Sequence, residues 1–324
     1  MAKRQSGDQA FVATSSKGTT QEQTFAGALS FLRRRYSKDL TDVDLAVMGV
    51  PFDLATTNRP GARFGPQAVR AASAIMAWAR PYGLSFDPRD VLSIIDTGDC
   101  VFDPFHPASV PAAIEAAAGR VVEAGVGLLS IGGDHFISYP LLKAHAARHG
   151  PLALLHFDAH SDTWTGEEND INHGTMFWHA QREGLVDPAC SVQIGIRTHN
   201  DESHGFTILD APWVHRHGID AVIARIREAV GDRKVYLTFD IDGLDPAYAP
   251  GTGTPVVGGL TSAQALGILR GLQGLDFVGF DVVEVAPAYD HGQITALAAA
   301  QIGFEFLALY ATRPGGPVAP QSAL

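Results

Sequence analysis

Residues 151–162 read Pro-Leu-Ala-Leu-Leu-His-Phe-Asp-Ala-His-Ser-Asp. The first part is a short apolar run with no polar face, which suits a strand covered on both sides. It ends in Asp158, His160 and Asp162, separated by small residues. In an extended segment this alternation puts all three side chains on one side. Two further runs end in the same kind of chemistry. Val126–Ile131 is closed by Gly132-Gly-Asp-His135, and Val235–Phe239 by Asp240-Ile-Asp242. One aspartate at a strand end is usually a turn or a cap. Six ligand-type residues (His135, Asp158, His160, Asp162, Asp240 and Asp242) at three such ends suit two divalent ions. His156 precedes the cluster within its strand and reads as a packed core histidine.

Outward from these runs, strand-like and helical segments alternate. Candidate strands are Leu45–Val50, Val91–Asp96, Gly127–Ile131, Leu152–Phe157, Val192–Ile196, Thr207–Leu209, Val235–Phe239 and Phe277–Val282. Helical spacing is clearest in Val110–Ala124, Tyr139–Arg148, Ile219–Val230 and Ser262–Gly271. Pro66 opens another helix as a first-turn proline, and Thr261 reads as an N-cap. The pattern predicts one α/β domain with a mostly parallel sheet. Ligands in such sheets gather beyond the carboxyl ends of the strands, where all three clusters fall.

At 324 residues and 46% hydrophobic content, the chain can bury a large core. Residues 1–22 read as a polar, flexible arm, 23–313 as the single domain, and 314–324 as an irregular tail. The net charge of −11 and the lack of basic tracts argue against nucleic acid or an anionic membrane as partner, and favour a cationic substrate. No signal-like segment and no unbroken run of 18 apolar residues occurs, so a cytoplasmic protein is expected. Cys100 and Cys190 read as two buried free thiols.

Hard oxygen ligands with a minority of imidazole favour manganese over zinc. Asp158, Asp162, Asp240 and Asp242 balance two divalent ions, and an added hydroxide leaves the centre slightly negative. Two ions roughly 3.5–4 Å apart hold and acidify a water between them. His173, on a Gly-flanked turn, has the residue type of a proton shuttle, and equally that of a surface or capping histidine. Glu284, at the end of the last strand, could receive a guanidinium or serve as a salt-bridged acid. The loop Thr165-Gly-Glu-Glu-Asn-Asp170 is acidic, with no Lys or Arg between Asp158 and His173. It would meet an amine better than a carboxylate. Gly251–Pro255 reads as a structured loop over the site, and His199–His204 as a surface loop.

At these motifs the chain resembles the ureohydrolase family of arginases, agmatinases, guanidinobutyrases and relatives. Gly132–His135, Asp158–Asp162 and Thr238–Pro246 match its three signatures, with Thr238 in place of the usual serine and Gly243 where many relatives carry another small residue. Gly49–Asp53, Asn172–Phe177, Ser191–Thr198, Pro250–Pro255 and Val283–Asp290 resemble the bacterial agmatinase branch, although the loop Trp164–Ile171 differs. The resemblance spans roughly Val43 to Ala311. It implies a three-layer α/β/α sandwich with an eight-stranded, mostly parallel sheet, in trimers or hexamers. It implies two Mn²⁺ per subunit, one on His135, Asp158, Asp162 and Asp240, the other on Asp158, His160, Asp240 and Asp242. His173 would be the proton shuttle and Glu284 the guanidinium anchor. The implied reaction is attack of a metal-bridging hydroxide on agmatine, giving urea and putrescine.

The nearest rival is a ureohydrolase for a guanidino acid such as 4-guanidinobutyrate, which needs a cationic or amide contact: Asn169 or Asn172 within the 158–173 segment, or Arg59, Arg63 or Arg197 reaching in. Arginase needs the same. A single-zinc deacetylase of this fold would need fewer carboxylates. A non-catalytic metal- or polyamine-binding protein would have no use for both His173 and Glu284.

Overall fold

The computed structural model describes residues 23–78 and 80–320. The arm at 1–22 and the last four residues lie outside the described residues. Nine strands form one sheet: β1 Arg35–Tyr36, β2 Leu45–Val50, β3 Ile94–Asp99, β4 Gly127–Gly132, β5 Ala153–Phe157, β6 Val192–Ile194, β7 Thr207–Leu209, β8 Lys234–Asp240 and β9 Asp276–Val283. The spatial order is β1-β3-β2-β4-β9-β8-β5-β6-β7, and every pairing is parallel. The family resemblance implies eight strands. The ninth is β1, a two-residue edge strand on β3, too short to give a periodic signal.

The helices are α1 Gly65–Ser73, α2 Pro88–Val91, α3 Val110–Glu123, α4 Ser138–His149, α5 Met176–Arg182, α6 Ala211–Val230, α7 Ser262–Gly271 and α8 Ile294–Ala311. Alternate strand residues feed two cores. Leu45, Val47, Leu155 and Phe157 enter the core shared with α1, α6, α7 and α8. Ala46, Met48, Val50 and Leu154 enter the one shared with α3, α4 and α5. This is the three-layer arrangement that two-sided apolar strands require.

Local signals behave as their chemistry dictates. Thr261 caps α7 in a full capping box with Gln264. Asp210 caps α6, which therefore begins well before Ile219 and kinks at Gly218, where φ is 79°. Among the described helices, α8 alone is long and apolar enough to cross a membrane, and 78% of it is buried inside the protein. Both cysteines are free, but Cys190 is only partly buried, on a turn before β6. Residues 314–320 carry no helix or strand.

The β1–β3 edge is tied by a buried ion pair. Arg70 of α1 holds Asp96 of β3 through Nε at 2.8 Å and Nη2 at 3.0 Å. Asp96 also accepts the Phe31 and Gly98 backbone N–H groups. Arg70→Ala strands a buried carboxylate, so we expect a loss of about 3–5 kcal/mol in urea denaturation. A loss below about 1 kcal/mol would mean that the two N–H donors satisfy Asp96 alone.

Candidate active site

The four central strands β4, β9, β8 and β5 are neighbours, and each delivers a polar residue at its carboxyl end. Phe157 pairs with Phe239, so Asp158 and Asp240 leave the sheet side by side. Asp240 Oδ1 then accepts the Asp242 N–H at 2.8 Å, and Asp158 Oδ1 accepts the His160 N–H at 2.6 Å. Each aspartate thus curls its own loop and brings the next ligand-type residue inward. At β4, Gly133 is packed so closely that a Cβ would collide with the carbonyl oxygens of Phe52 and Val50. Asp134 serves as a cap and a tie, accepting Phe136 N–H at 3.1 Å and Ala55 N–H at 2.9 Å. Asp162 and Glu284 both sit in the left-handed region, at φ 51° and 64°. Such backbone conformations cost non-glycine residues about 1–3 kcal/mol and concentrate at functional sites.

Two clusters of ligand atoms result. In the first, His135 Nδ1 lies 3.0, 2.9 and 3.2 Å from carboxylate oxygens of Asp158, Asp162 and Asp240, without a hydrogen bond to any of them. The opposite nitrogen explains why. Thr238 Oγ1 donates to Asp281 Oδ1 at 2.5 Å, so it must accept from His135 Nε2–H at 2.8 Å. With its proton on Nε2, His135 presents a bare Nδ1 lone pair to three buried carboxylates. That is an arrangement for a cation. In the second cluster, His160 Nδ1 stands 3.2 Å from Asp158 Oδ1 and 3.3 Å from Asp242 Oδ2. Asp158 serves both clusters, one oxygen to each.

His156 also falls within the first cluster. Its hydrogen bonds give it a different part. Gln193 Nε2 donates to Ser161 O at 2.6 Å and to His156 Nδ1 at 3.1 Å. The His156 proton is therefore on Nε2, donated to Asp158 Oδ2 at 2.7 Å. A protonated nitrogen cannot ligate a metal, so this buried histidine orients Asp158.

The electrostatics call for positive charge. Burial, then the neighbouring Asp242 and Asp158 carboxylates, push Asp240 well above the usual carboxylate range. Burial alone would lower the His160 pKa, but Asp158 and Asp242 outweigh it and lift it to about 12.

Glu284 and His173 meet beside the clusters. Glu284 Oε1 accepts the His135 backbone N–H and pairs with His173 Nδ1, both at 2.9 Å. Its Oε2 is buried with no partner. Burial would lower the His173 pKa, but Glu284 reverses this and raises it to about 9. The Thr57 backbone N–H opposes that rise, because it donates to Nε2 at 3.1 Å and only an unprotonated nitrogen can accept it. The directional bond decides the resting form: a neutral ring with its proton on Nδ1, facing Glu284. A cavity of about 380 Å³ opens here, lined by Thr57, His160, Asp162, Trp164, Asp170, His173 and Asp240 among others.

A model of the arginase family matches residues 43–309. The chain belongs to that family. An agmatinase of Chromobacterium violaceum is 56% identical over 90% of this chain and 91% of its own length. The crystal structure of a hypothetical agmatinase from Burkholderia thailandensis superposes with a TM-score of 0.91 at 56% identity, covering 94% of this chain and 97% of that one. Proclavaminate amidino hydrolase of Streptomyces clavuligerus matches with a TM-score of 0.85 at 41% identity, over 89% and 99% of the two chains.

The fold thus gathers all eight residues that the sequence singles out. It also brings in residues to which the sequence gives no individual role: Thr57, Trp164, Gln193 and Thr254, the last bonding Asp242 Oδ2 at 3.2 Å. Thr57 and Thr254 are loop threonines, Trp164 is a loop aromatic and Gln193 is a polar residue within β6, and none of these types marks a site by itself. Among the acidic-loop residues, Asp170 lines the cavity while Glu167 and Glu168 do not. Arg197 gives its donors to the carbonyls of Gly195, Asp242, Leu244 and Val256, Arg63 pairs with Asp53, and Arg59 lies over the Tyr289 ring. His199 faces Asp201 on the surface.

His156→Phe keeps the volume and removes the donor to Asp158. Divalent-ion affinity should fall about 10–100-fold by titration calorimetry, with both ions still bound at saturation. Loss of one whole ion per chain would make His156 a ligand instead.

Proposed function

We propose that the chain hydrolyses agmatine to urea and putrescine at a centre of two Mn²⁺ ions. The observation that carries this reading is the charge of the cavity. Asp162, Asp170 and Asp240 line it, and no Lys or Arg does among the described residues. The agmatinase names of relatives at 50–56% identity support the same substrate.

The donor set fits the metal. His135, Asp158, Asp162 and Asp240 would hold one ion, and Asp158, His160, Asp240 and Asp242 the other. When bound, the ions supply a hydroxide nucleophile at neutral pH and offset charge as the reaction proceeds. The protein's own groups do the rest. Glu284 keeps Oε2 free for the guanidinium, while its Oε1 is spent on His135 and His173. A Cβ at Gly253 would stand 3.5 Å from Oε2, so the glycine leaves that approach open. His173 takes a proton and returns it to the departing amine. Asp170 would meet the far ammonium of agmatine.

A guanidino acid finds no cationic partner in this cavity, only the Asn172 amide; Arg63 and Arg197 are engaged elsewhere, and Arg59 lies against the Tyr289 ring outside the lining. A single-zinc deacetylase would leave the His160–Asp242 cluster without a purpose.

After loading with Mn²⁺, the enzyme should release urea from agmatine with a kcat/KM about 100-fold or more above that for 4-guanidinobutyrate or arginine. Preference for 4-guanidinobutyrate would preserve the metal reading and discard Asp170 as an amine contact. Asp158→Asn should abolish turnover and strip metal, against two Mn²⁺ per chain in the parent by elemental analysis. Asp170→Asn should raise the agmatine KM about tenfold and leave kcat close to that of the parent, as expected for a lost charge-assisted contact.

A further inference from the structure

His173 is the proton carrier in the reading above, yet neither of its nitrogens is free. Nδ1 is turned to Glu284. Nε2 accepts the Thr57 backbone N–H at 3.1 Å, and Thr57 Oγ1 lies 2.9 Å away. The next group out from Nε2 toward the cavity is therefore the Thr57 hydroxyl, itself part of the cavity wall. From this juxtaposition we propose that Thr57 is the proton relay between His173 and the reacting groups. The inference rests on the agmatine-hydrolase reading and extends it by one residue.

Bond directions support it. Nε2 is an acceptor in the resting ring, so the Thr57 hydroxyl donates to it and leaves its own lone pairs to face the cavity. The hydroxyl passes its proton to Nε2 while Oγ1 takes one from the attacking water. The ring is then an imidazolium, with Nδ1–H still on Glu284 and Nε2–H on Oγ1. On return, Nε2–H breaks and Oγ1 regains that proton. Oγ1 meanwhile gives one to the leaving nitrogen, whose C–N bond breaks with the electron pair staying on nitrogen. One proton enters and one leaves, and nothing is oxidised or reduced. The backbone N–H adds a second function. It loses its acceptor when Nε2 is protonated, so it disfavours the charged ring and keeps the transfer reversible.

The turn that presents Thr57 is held on both sides. Asp53 accepts the Gly61 N–H at 2.9 Å, and Asn58 Nδ2 donates to Gly253 O at 2.9 Å. The relay group is thus fixed by bonds that do not involve His173.

The test uses Thr57→Val, which keeps the backbone N–H and the branched shape, with Thr57→Ser to restore the hydroxyl. Thr57→Val should lower kcat for agmatine at least ~10-fold, with KM within ~2-fold and full metal content. Thr57→Ser should recover kcat to within ~3-fold of the parent. In the metal-free protein, ¹⁵N spectra of the histidine rings, assigned by the signal missing in His173→Asn, should show an unprotonated acceptor Nε2 in both parent and Thr57→Val. An unchanged kcat in Thr57→Val overturns the proposal. So does a loss that serine fails to restore, or an Nε2 signal that becomes protonated, since either makes the hydroxyl a structural prop. The function reading fails separately. It falls if the parent releases no urea from agmatine, and the shuttle falls if His173→Asn keeps full kcat.

Discussion

Four carboxylates are held together almost wholly out of contact with bulk water. Asp158, Asp162, Asp240 and Asp242 are each no more than 4% exposed, at the ends of two adjacent strands. Like charges about 4 Å apart repel by about 4 kcal/mol at an effective dielectric constant near 20. Only a stiff frame tolerates such a group. The central sheet provides it, because β5 and β8 are paired along their length and covered on both faces. The same repulsion determines what the site can accept. It takes positive charge, either as protons on His135 and His160 or as divalent ions, and the bare Nδ1 of His135 favours the latter.

The histidines show how the surrounding residues assign chemistry. His135, His156 and His173 share one element of design: a neighbour fixes which ring nitrogen carries the proton. Thr238, backed by Asp281, puts the His135 proton on Nε2 and frees Nδ1 for the cluster. Gln193 puts the His156 proton on Nε2 and aims it at Asp158. The Thr57 N–H leaves the His173 proton on Nδ1, against Glu284. Three chemically identical rings become a ligand-type nitrogen, a carboxylate brace and the proposed proton carrier. Distance alone would class the first two together, whereas the hydrogen-bond direction separates them.

Much of this was legible in the chain because it is local. Strands ending in Asp-x-His or Asp-x-Asp carry their meaning within a few residues, and Thr261 with Gln264 spells out a cap. What escaped reading lacks a local signal. Helix α8 is apolar nearly all round, so it shows no amphipathic period, and burial on every side is the reason. Thr57 lies 116 residues from His173, and Gln193 lies 37 from His156. Neither has a sequence neighbour to mark it. The acidic loop was legible as a charge but not as a surface. Only folding separates Asp170, which lines the cavity, from Glu167 and Glu168, which do not.

Arg197 bears on selectivity through what it does not do. The sequence leaves it free to meet a substrate carboxylate from beside the site. In the fold its guanidinium is half-buried and spent on carbonyl oxygens, two of them from Asp242 and Leu244 in the ligand loop. It braces that loop and has little left to offer a ligand. A substrate differing from agmatine by a carboxylate would therefore bring an anion up to Asp162, Asp170 and Asp240 with no cation to meet it. Selection of this kind acts through repulsion of the competitor as much as through attraction of the substrate. A metal centre shared by all guanidino substrates can thus be made selective by how a few charges outside it are placed.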